Sequence, residues 1–262
     1  MCIAISFSGT TDWILFLATL WALLLLGAFF LLPHVLRLQR GKLTEAQGLV
    51  LIICVAVCVR LVPNLLLPMG ARYDIESYRI VGELVISGED VYSNPEAMDR
   101  HPYLPLQMYW LGFATWLASA MRVPFVKIVR IAPIAADVGI ASVIFLRLRQ
   151  SRSLTDAFLG GLLYAVNPIP IFVSAYHGQF DAIPAFFLLL AVVTLEGSPL
   201  LTGGWLGLGI LNKSWPVLAL PSLFVVIKEW RDRFRFTIGA TLVPLIGVGV
   251  YLLLFKGQLW TV

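Results

Sequence analysis

Long apolar stretches separated by short polar loops run through most of this chain. Residues 13–32 and 48–67 each extend for about 20 residues with at most one charged side chain, which is enough to cross a hydrocarbon core of about 30 Å. Further apolar runs follow at 128–146, 157–175, 182–195, 201–211, 216–227 and 236–255. The pattern predicts an all-α, polytopic integral membrane protein with about eight transmembrane helices. The runs at 201–211 and 216–227 are short for a crossing, and a short hairpin that locally thins the bilayer is the alternative for them.

One further run, 103–120, mixes apolar residues with the Tyr, Trp and Gln side chains that are common at a membrane interface. Lys and Arg are concentrated in three short loops, at 37–42, 147–152 and 228–235. Cytoplasmic loops are rich in these residues, and all three loops fall on one side only if 103–120 does not cross. We therefore expect an interfacial helix there, within a long external loop at 68–127, and both termini outside.

Composition and charge agree with this class. The chain is 59% hydrophobic and 13% charged, whereas soluble domains are nearer half and a quarter. The net charge of +4 comes from loop residues that report topology, so no nucleic-acid partner is indicated. The first Lys or Arg is Arg37, so 13–32 is interpreted as a retained span and not as a signal peptide. We divide the chain into 1–47, an additional span with its basic cytoplasmic loop, and a membrane domain at 48–262.

Three polar groups fall on the external side of this topology. The carboxylates Asp74 and Glu76 follow the second span, the segment HGQFD occupies the turn at 177–181, and Lys213 lies at the next outer turn. Taken alone, each group is most simply a solvated loop residue, because outer loops are normally polar. Their convergence on one side favours a functional site, although sharing a side does not prove proximity.

Charged residues also occur inside the apolar runs. Arg60 and Asp137 have similar expected depths, and intramembrane charges usually find partners or water, so an ion pair between them is predicted. Arg130 lies on about the same helix face as Asp137, near the outer surface, where we expect it to be free to meet an anion. Asn167-Pro168 and Pro184 interrupt the helices on both sides of the 177–181 turn, which favours an outward-opening cavity.

The order of these residues resembles a known family. GEDVY at 88–92 and PYLPL at 102–106 precede the Arg130…Asp137 helix, and Asn167-Pro168, HGQFD at 177–181 and KSWP at 213–216 follow in order. The series, over about residues 48–227, is similar to membrane glycosyltransferases with the GT-C fold, of the polyprenyl-phosphate-mannose and dolichyl-phosphate-glucose types. The most specific part is HGQFD. Family members commonly continue through several more spans after the position of Val262, so a C-terminally truncated member is one expectation.

The resemblance implies an active site at the non-cytoplasmic face of the cell membrane, between the first outer loop and the membrane domain. It implies inverting transfer of one hexose, with mannose favoured, from a polyprenyl-phosphate donor to the hydroxyl of a glycan, glycolipid or protein acceptor. Asp74 is the expected base, with Glu76 as the alternate. Lys213, Arg130 and His177 are candidates for the donor phosphate, and Gln179 and Asp181 for the sugar hydroxyls.

Several alternatives stay open at this point. The scheme requires no cofactor and no metal, because cations already neutralise the phosphate, but a divalent metal held by Asp74 and Asp181 is also compatible with it. A lipid-linked sugar transporter or flippase would share the cavity and the buried charges, although the duplicated halves common in transporters are not evident. A non-catalytic membrane subunit is a third reading, which truncation would favour.

Overall fold

The computed structural model describes residues 10–38, 43–67 and 70–255. In these residues every regular element is a helix. The order is α1 (Thr10–Leu38), α2 (Glu45–Leu66), α3 (Arg72–Ser87), α4 (Pro105–Met121), α5 (Phe125–Val129), α6 (Ile131–Arg149), α7 (Leu154–Val166), α8 (Pro168–Ile171), a π-helical turn (Phe172–His177), α9 (Ala182–Thr194), α10 (Pro199–Asn212), a 3₁₀ turn (Trp215–Ala219), α11 (Leu220–Val226) and α12 (Trp230–Phe255).

Four helices in the described ranges are long and apolar enough to cross a membrane. They are Trp13–His34, Glu45–Leu66, Phe125–Arg149 and Trp230–Phe255, and a fifth results if Leu154–Val166 and Pro168–His177, which are bent by 42°, form one span. The expected count of about eight is therefore not supported. The runs at 182–195 and 201–211 form helices of only 13 and 14 residues, which rise about 20 Å against a core of about 30 Å. The run at 216–227 is divided between a 3₁₀ turn and the 7-residue α11.

Ion pairs and hydrogen bonds show how α2 and α6 are arranged. Glu45 at the start of α2 lies 3.4 Å from Arg149 at the end of α6. At the other end, Leu67 O accepts a hydrogen bond from Nη1 of Arg130 at the start of α6. The two helices are therefore antiparallel, and the basic loop at 147–152 lies at the end of the bundle opposite to Leu67.

The segment expected to be the external loop folds as a helical layer. Helix α4, at Pro105–Met121, corresponds to the predicted interfacial run, and it packs against α3. The contact is close because Gly82 and Gly112 lie in it: a Cβ on Gly82 would stand 2.1 Å from Thr115 Oγ1, and one on Gly112 would stand 2.4 Å from Val85 Cγ1. This packing holds α3, which carries the first-loop carboxylates, rigidly against its neighbour. The interfacial position of α4 relative to the membrane stays a prediction.

The far end of α12 returns to this layer. The hydroxyl of Tyr251, a fully buried side chain, donates to Asp90, and its ring lies 5.0 Å from the ring of Tyr92. Since α12 begins at Trp230, within the basic segment 228–235, it traverses the bundle from the basic end to the layer of α3 and α4.

Candidate functional site

Three segments that are distant in sequence meet at the α3 end of the bundle. Gln179 Nε2 donates to Asp74 Oδ2 over 3.0 Å, and Lys213 Nζ lies 2.6 Å from Asp181 Oδ1. Gln179 and Asp181 belong to the same short turn, which therefore joins the first turn of α3 to the end of α10. We call Asp74, Gln179, Asp181 and Lys213 the polar cluster.

Aromatic rings form the floor of the polar cluster. The ring of Phe180 lies 5.4 Å from that of Tyr78 and 5.0 Å from that of Tyr103. Lys213 Nζ stands 5.4 Å from the centre of Tyr103 and 5.3 Å from that of Phe180, within the range of cation–π attraction. Burial, with the negative charge of Asp74 nearby, raises the pKa of Tyr78, so its hydroxyl stays protonated. The floor is apolar and neutral, which strengthens the charge interactions above it.

The two first-loop carboxylates have different surroundings. Glu76 is exposed and is bound by Arg79 through two contacts of 2.6 Å and 3.1 Å, and this hydrogen bonding lowers its pKa. A carboxylate with a lowered pKa is a weaker base. Asp74 is half-buried, and its partner Gln179 is a neutral amide. Of the two, Asp74 is therefore better placed to accept a proton.

Arg130 has a different environment from the one expected. Its side chain is 0% exposed, and it donates to the carbonyl oxygens of Leu67 and Tyr176. Instead of being free to meet an anion, the guanidinium ties the end of α2 to the turn that carries Gln179. The sequence placed Arg130 near a surface, but it could not show that α2 and the 176–178 turn close over it.

His177 and Gly178 shape the turn. The His177 side chain is exposed, and its carbonyl accepts a hydrogen bond from Ala71 N over 3.1 Å, immediately before α3. Gly178 has a φ of +84°, and a Cβ there would stand 2.7 Å from Cδ1 of Ile75. Glycine is needed at this position for both reasons. The turn thus packs directly on the first turn of α3.

A buried network lies below the polar cluster. Arg60 Nε is 3.0 Å from Asp137 Oδ2, and the two side chains are 0% and 1% exposed. Asp137 also accepts from the hydroxyls of Tyr164, at 2.8 Å, and Ser174, at 2.6 Å. The predicted partners are therefore in contact, and together they hold both halves of the broken helix.

The same network compensates for the helix break. Asn167 Oδ1 accepts from the backbone N–H of Ile169, so that N–H is not available to Ala165 O as it would be in a continuous helix. Arg60 Nη1 donates to this carbonyl instead, over 2.9 Å. A buried carbonyl without a partner is costly, and the arginine removes that cost while the chain bends toward the Gln179 turn.

Some members of the site were not singled out from the sequence. Tyr78 follows Asp74 by four residues, so helical spacing could have placed both on one face. The buried pair Gln107–Asn212, in which Asn212 Nδ2 donates to Gln107 Oε1 over 3.0 Å, carried no such signal because it joins α4 to α10. This pair positions the residue immediately before Lys213.

The sequence also left open a divalent metal between Asp74 and Asp181. In the described ranges, no group of three or more His, Cys, Asp or Glu side chains could hold a metal ion. Asp74 and Asp181 are instead hydrogen-bonded to Gln179 and Lys213.

Comparison with known proteins gives the class of this molecule. The apolar helices mark an integral membrane protein with a polar cluster at one end. The sequence model of Glycosyltransferase family 87 matches residues 103–260, more than half of the chain. The chain belongs to glycosyltransferase family 87 and is a membrane glycosyltransferase. No curated protein and no solved structure matches it. The matched region includes Gln179, Asp181 and Lys213 but not Asp74.

Proposed function

We propose that this protein transfers a hexose, with mannose favoured, from a polyprenyl-phosphate donor to an acceptor hydroxyl, with inversion. The observation that carries the proposal is the contact between Asp74 and Gln179. This contact brings the Asp74 carboxylate of α3 to the 177–181 turn. The same turn carries Asp181, which binds Lys213. Family membership supports glycosyl transfer over the transporter and the non-catalytic subunit.

In the proposed reaction the acceptor oxygen attacks the anomeric carbon while its proton passes to Asp74. The bond between that carbon and the phosphate oxygen breaks, and the electron pair leaves with the lipid phosphate. Negative charge grows on the phosphate, so a nearby cation lowers the barrier. Lys213 and the exposed His177 are the proposed phosphate ligands, while Arg130 positions the turn that carries His177 and Gln179. No cofactor takes part.

Lys213 and Asp181 are expected to act as a pair. Their 2.6 Å contact keeps the ammonium in place above the Tyr103 and Phe180 rings. A donor phosphate would share the Lys213 ammonium with Asp181. The Asp181 carboxylate could then also accept a hydrogen bond from a sugar hydroxyl. The half-buried position of Lys213 supports this role, because a charge is screened less there than in open water.

The proposed setting is the cell membrane, with the polar cluster on the non-cytoplasmic side. The basic loops at 147–152 and 228–235 support this orientation, because Lys and Arg are enriched in cytoplasmic loops. A glycan, glycolipid or protein would then supply the acceptor hydroxyl from outside.

The test is a transfer assay with purified full-length chain and synthetic polyprenyl-phosphate mannose or glucose, followed by detection of free lipid phosphate and of glycosylated acceptor. Transfer by the wild type that is lost in Asp74→Asn supports the proposal. Transfer that is equal in the two proteins contradicts it.

A further inference from the structure

A separate cavity opens beside the first turn of α3. Its volume is about 920 Å³, large enough for the headgroup of a lipid. The wall is formed by residues from the start of α3, from the loop before α4 and from α5, namely Gly70, Arg72, Tyr73, Ile75, Glu76, Arg100 and Val126. Asp74 is not part of this wall, since it faces Gln179.

The cavity wall carries an excess of positive charge. Arg72 and Arg100 both lie on it, and neither forms an ion pair with a carboxylate in the described part of the chain. The carboxylate in the wall, Glu76, is already bound by Arg79, and Arg72 and Arg100 act on it as well to keep its pKa low. An anion entering the cavity would therefore meet two arginine side chains that are not engaged in direct ion pairs.

Arg100 is held in position for such an anion. Its Nη1 donates to Ser77 Oγ over 3.2 Å, and its guanidinium carbon lies 5.2 Å from the centre of the Tyr73 ring. A guanidinium that is fixed by stacking and by one hydrogen bond can present its remaining donors to a phosphate with little loss of side-chain freedom.

The rest of the wall is apolar. Ile75, Val126 and the ring of Tyr73 complete it, so the fitting ligand has a charged phosphate and an adjoining apolar part. In the proposed reaction the donor phosphate is bonded to the carbon at which the Asp74-activated hydroxyl attacks, so it belongs beside the polar cluster. The cavity, which excludes Asp74, fits a different phosphate.

We propose that this cavity binds the phosphodiester headgroup of an anionic lipid other than the sugar donor, with Arg72 and Arg100 on the phosphate. The lipid is either a lipid acceptor or a bilayer lipid that occupies the site during turnover. The distinction from the sugar donor and the choice between these two sources rest on the proposed function; binding of an anionic lipid in the cavity does not.

Binding is measured on the purified full-length chain in uncharged detergent, with dihexanoyl phosphatidylglycerol as the probe. Arg72→Gln combined with Arg100→Gln should weaken binding at least about 10-fold, because hydrogen bonds to charged groups are lost. The matched control is Arg122→Gln with Arg231→Gln, which removes the same charge at exposed positions outside the cavity and should bind as the wild type does. Val126→Phe narrows the cavity without changing charge and should also weaken binding.

Other probes separate the possible ligands. Dihexanoyl phosphatidylcholine and inorganic phosphate should bind more weakly than the anionic lipid. The proposal would be overturned if the wild type and the cavity variants bound the anionic lipid equally. It would also be overturned if the cavity variants lost binding of farnesyl phosphate but kept binding of the anionic lipid, because the arginines would then belong to the donor site.

The two sources are separated by incubating the loaded protein with polyprenyl-phosphate mannose. Hexose on the phosphatidylglycerol headgroup identifies an acceptor, whereas unmodified lipid identifies a bilayer ligand. If the wild type and Asp74→Asn both bind the lipid while the wild type transfers no sugar, the cavity proposal stands and the proposed function fails.

Discussion

Gln179 donates from Nε2 to Oδ2 of Asp74 over 3.0 Å, although the two residues are 105 positions apart in the chain. The contact joins the first turn of α3 to the turn that follows the π-helical segment. It leaves Asp74 with a neutral partner, whereas the nearby Glu76 is bound to an arginine. Proton transfer to Asp74 rather than to Glu76 therefore requires that the turn at 177–181 is held against α3.

Removing Asp137 should destabilise the protein strongly. In Asp137→Ala the charge of Arg60 is left buried, which costs about 3–5 kcal/mol, and the measurement is thermal unfolding in detergent. Arg60→Met combined with Asp137→Leu removes both charges and should recover folded protein in part. Recovery is incomplete because Ala165 O and the Tyr164 hydroxyl lose their partners, each at about 1–3 kcal/mol. If the double variant is no more stable than Asp137→Ala, the charge pair is not the source of the effect.

The orientation in the membrane can be tested with single cysteines. Ser93, Ser151 and Ser214 are all exposed, so burial within the protein would not explain a difference in labelling among them. Cysteines at positions 93 and 214 should react in intact cells with a thiol reagent that does not cross the membrane, and one at 151 should react only after the cells are opened. Labelling of position 151 from outside would reverse the proposed arrangement.

Lys213 is expected to bind the donor phosphate. Lys213→Gln keeps much of the side chain but removes the charge, and should lower kcat/KM about 10- to 100-fold, the value of a hydrogen bond to a charged group. Lys213→Arg should restore part of the loss. Kinetics are measured in detergent without anionic lipid. An unchanged kcat/KM in the Gln variant would leave Lys213 as an interfacial anchor paired with Asp181.

His101 should make the free energy of unfolding depend on pH. It is 5% exposed, and burial lowers its pKa from 6.5 to about 4. Because the unfolded chain binds the proton more readily, the free energy of unfolding should be highest above about pH 6.5. It should fall by about 3 kcal/mol as the pH drops toward 4. His101→Phe should remove this part of the pH dependence in thermal unfolding, while His34→Gln, at an exposed position, should not. The same slope in both variants would assign the titration to other groups.

Some of this structure could be predicted from the sequence, for physical reasons. Apolar length gave the membrane class, and the basic loops placed residues 74, 177–181 and 213 on one side. The depth of Arg60 and Asp137 gave the ion pair, because a buried charge needs a partner.

Other features depend on tertiary contacts that no local pattern encodes. Hydropathy did not reveal that the run at 216–227 is divided between a 3₁₀ turn and α11. Spacing along one helix did not reveal that two carbonyls from other segments cover Arg130. The partner of Glu76, Arg79, lies three residues further along the same helix, whereas Gln179 meets Asp74 only through tertiary packing.

The most direct test of the account is turnover by Asp74→Asn compared with Glu76→Gln in the same transfer assay, with donor binding measured in parallel. Asparagine keeps the shape of aspartate but cannot take the proton, so kcat should fall by at least about 10²–10⁴-fold while donor binding persists. Glu76→Gln loses an exposed ion pair with Arg79 but leaves Asp74 and its partner Gln179 in place, so it should keep most of its activity. An active Asp74→Asn enzyme beside an inactive Glu76→Gln enzyme would contradict the assignment of Asp74 as the base.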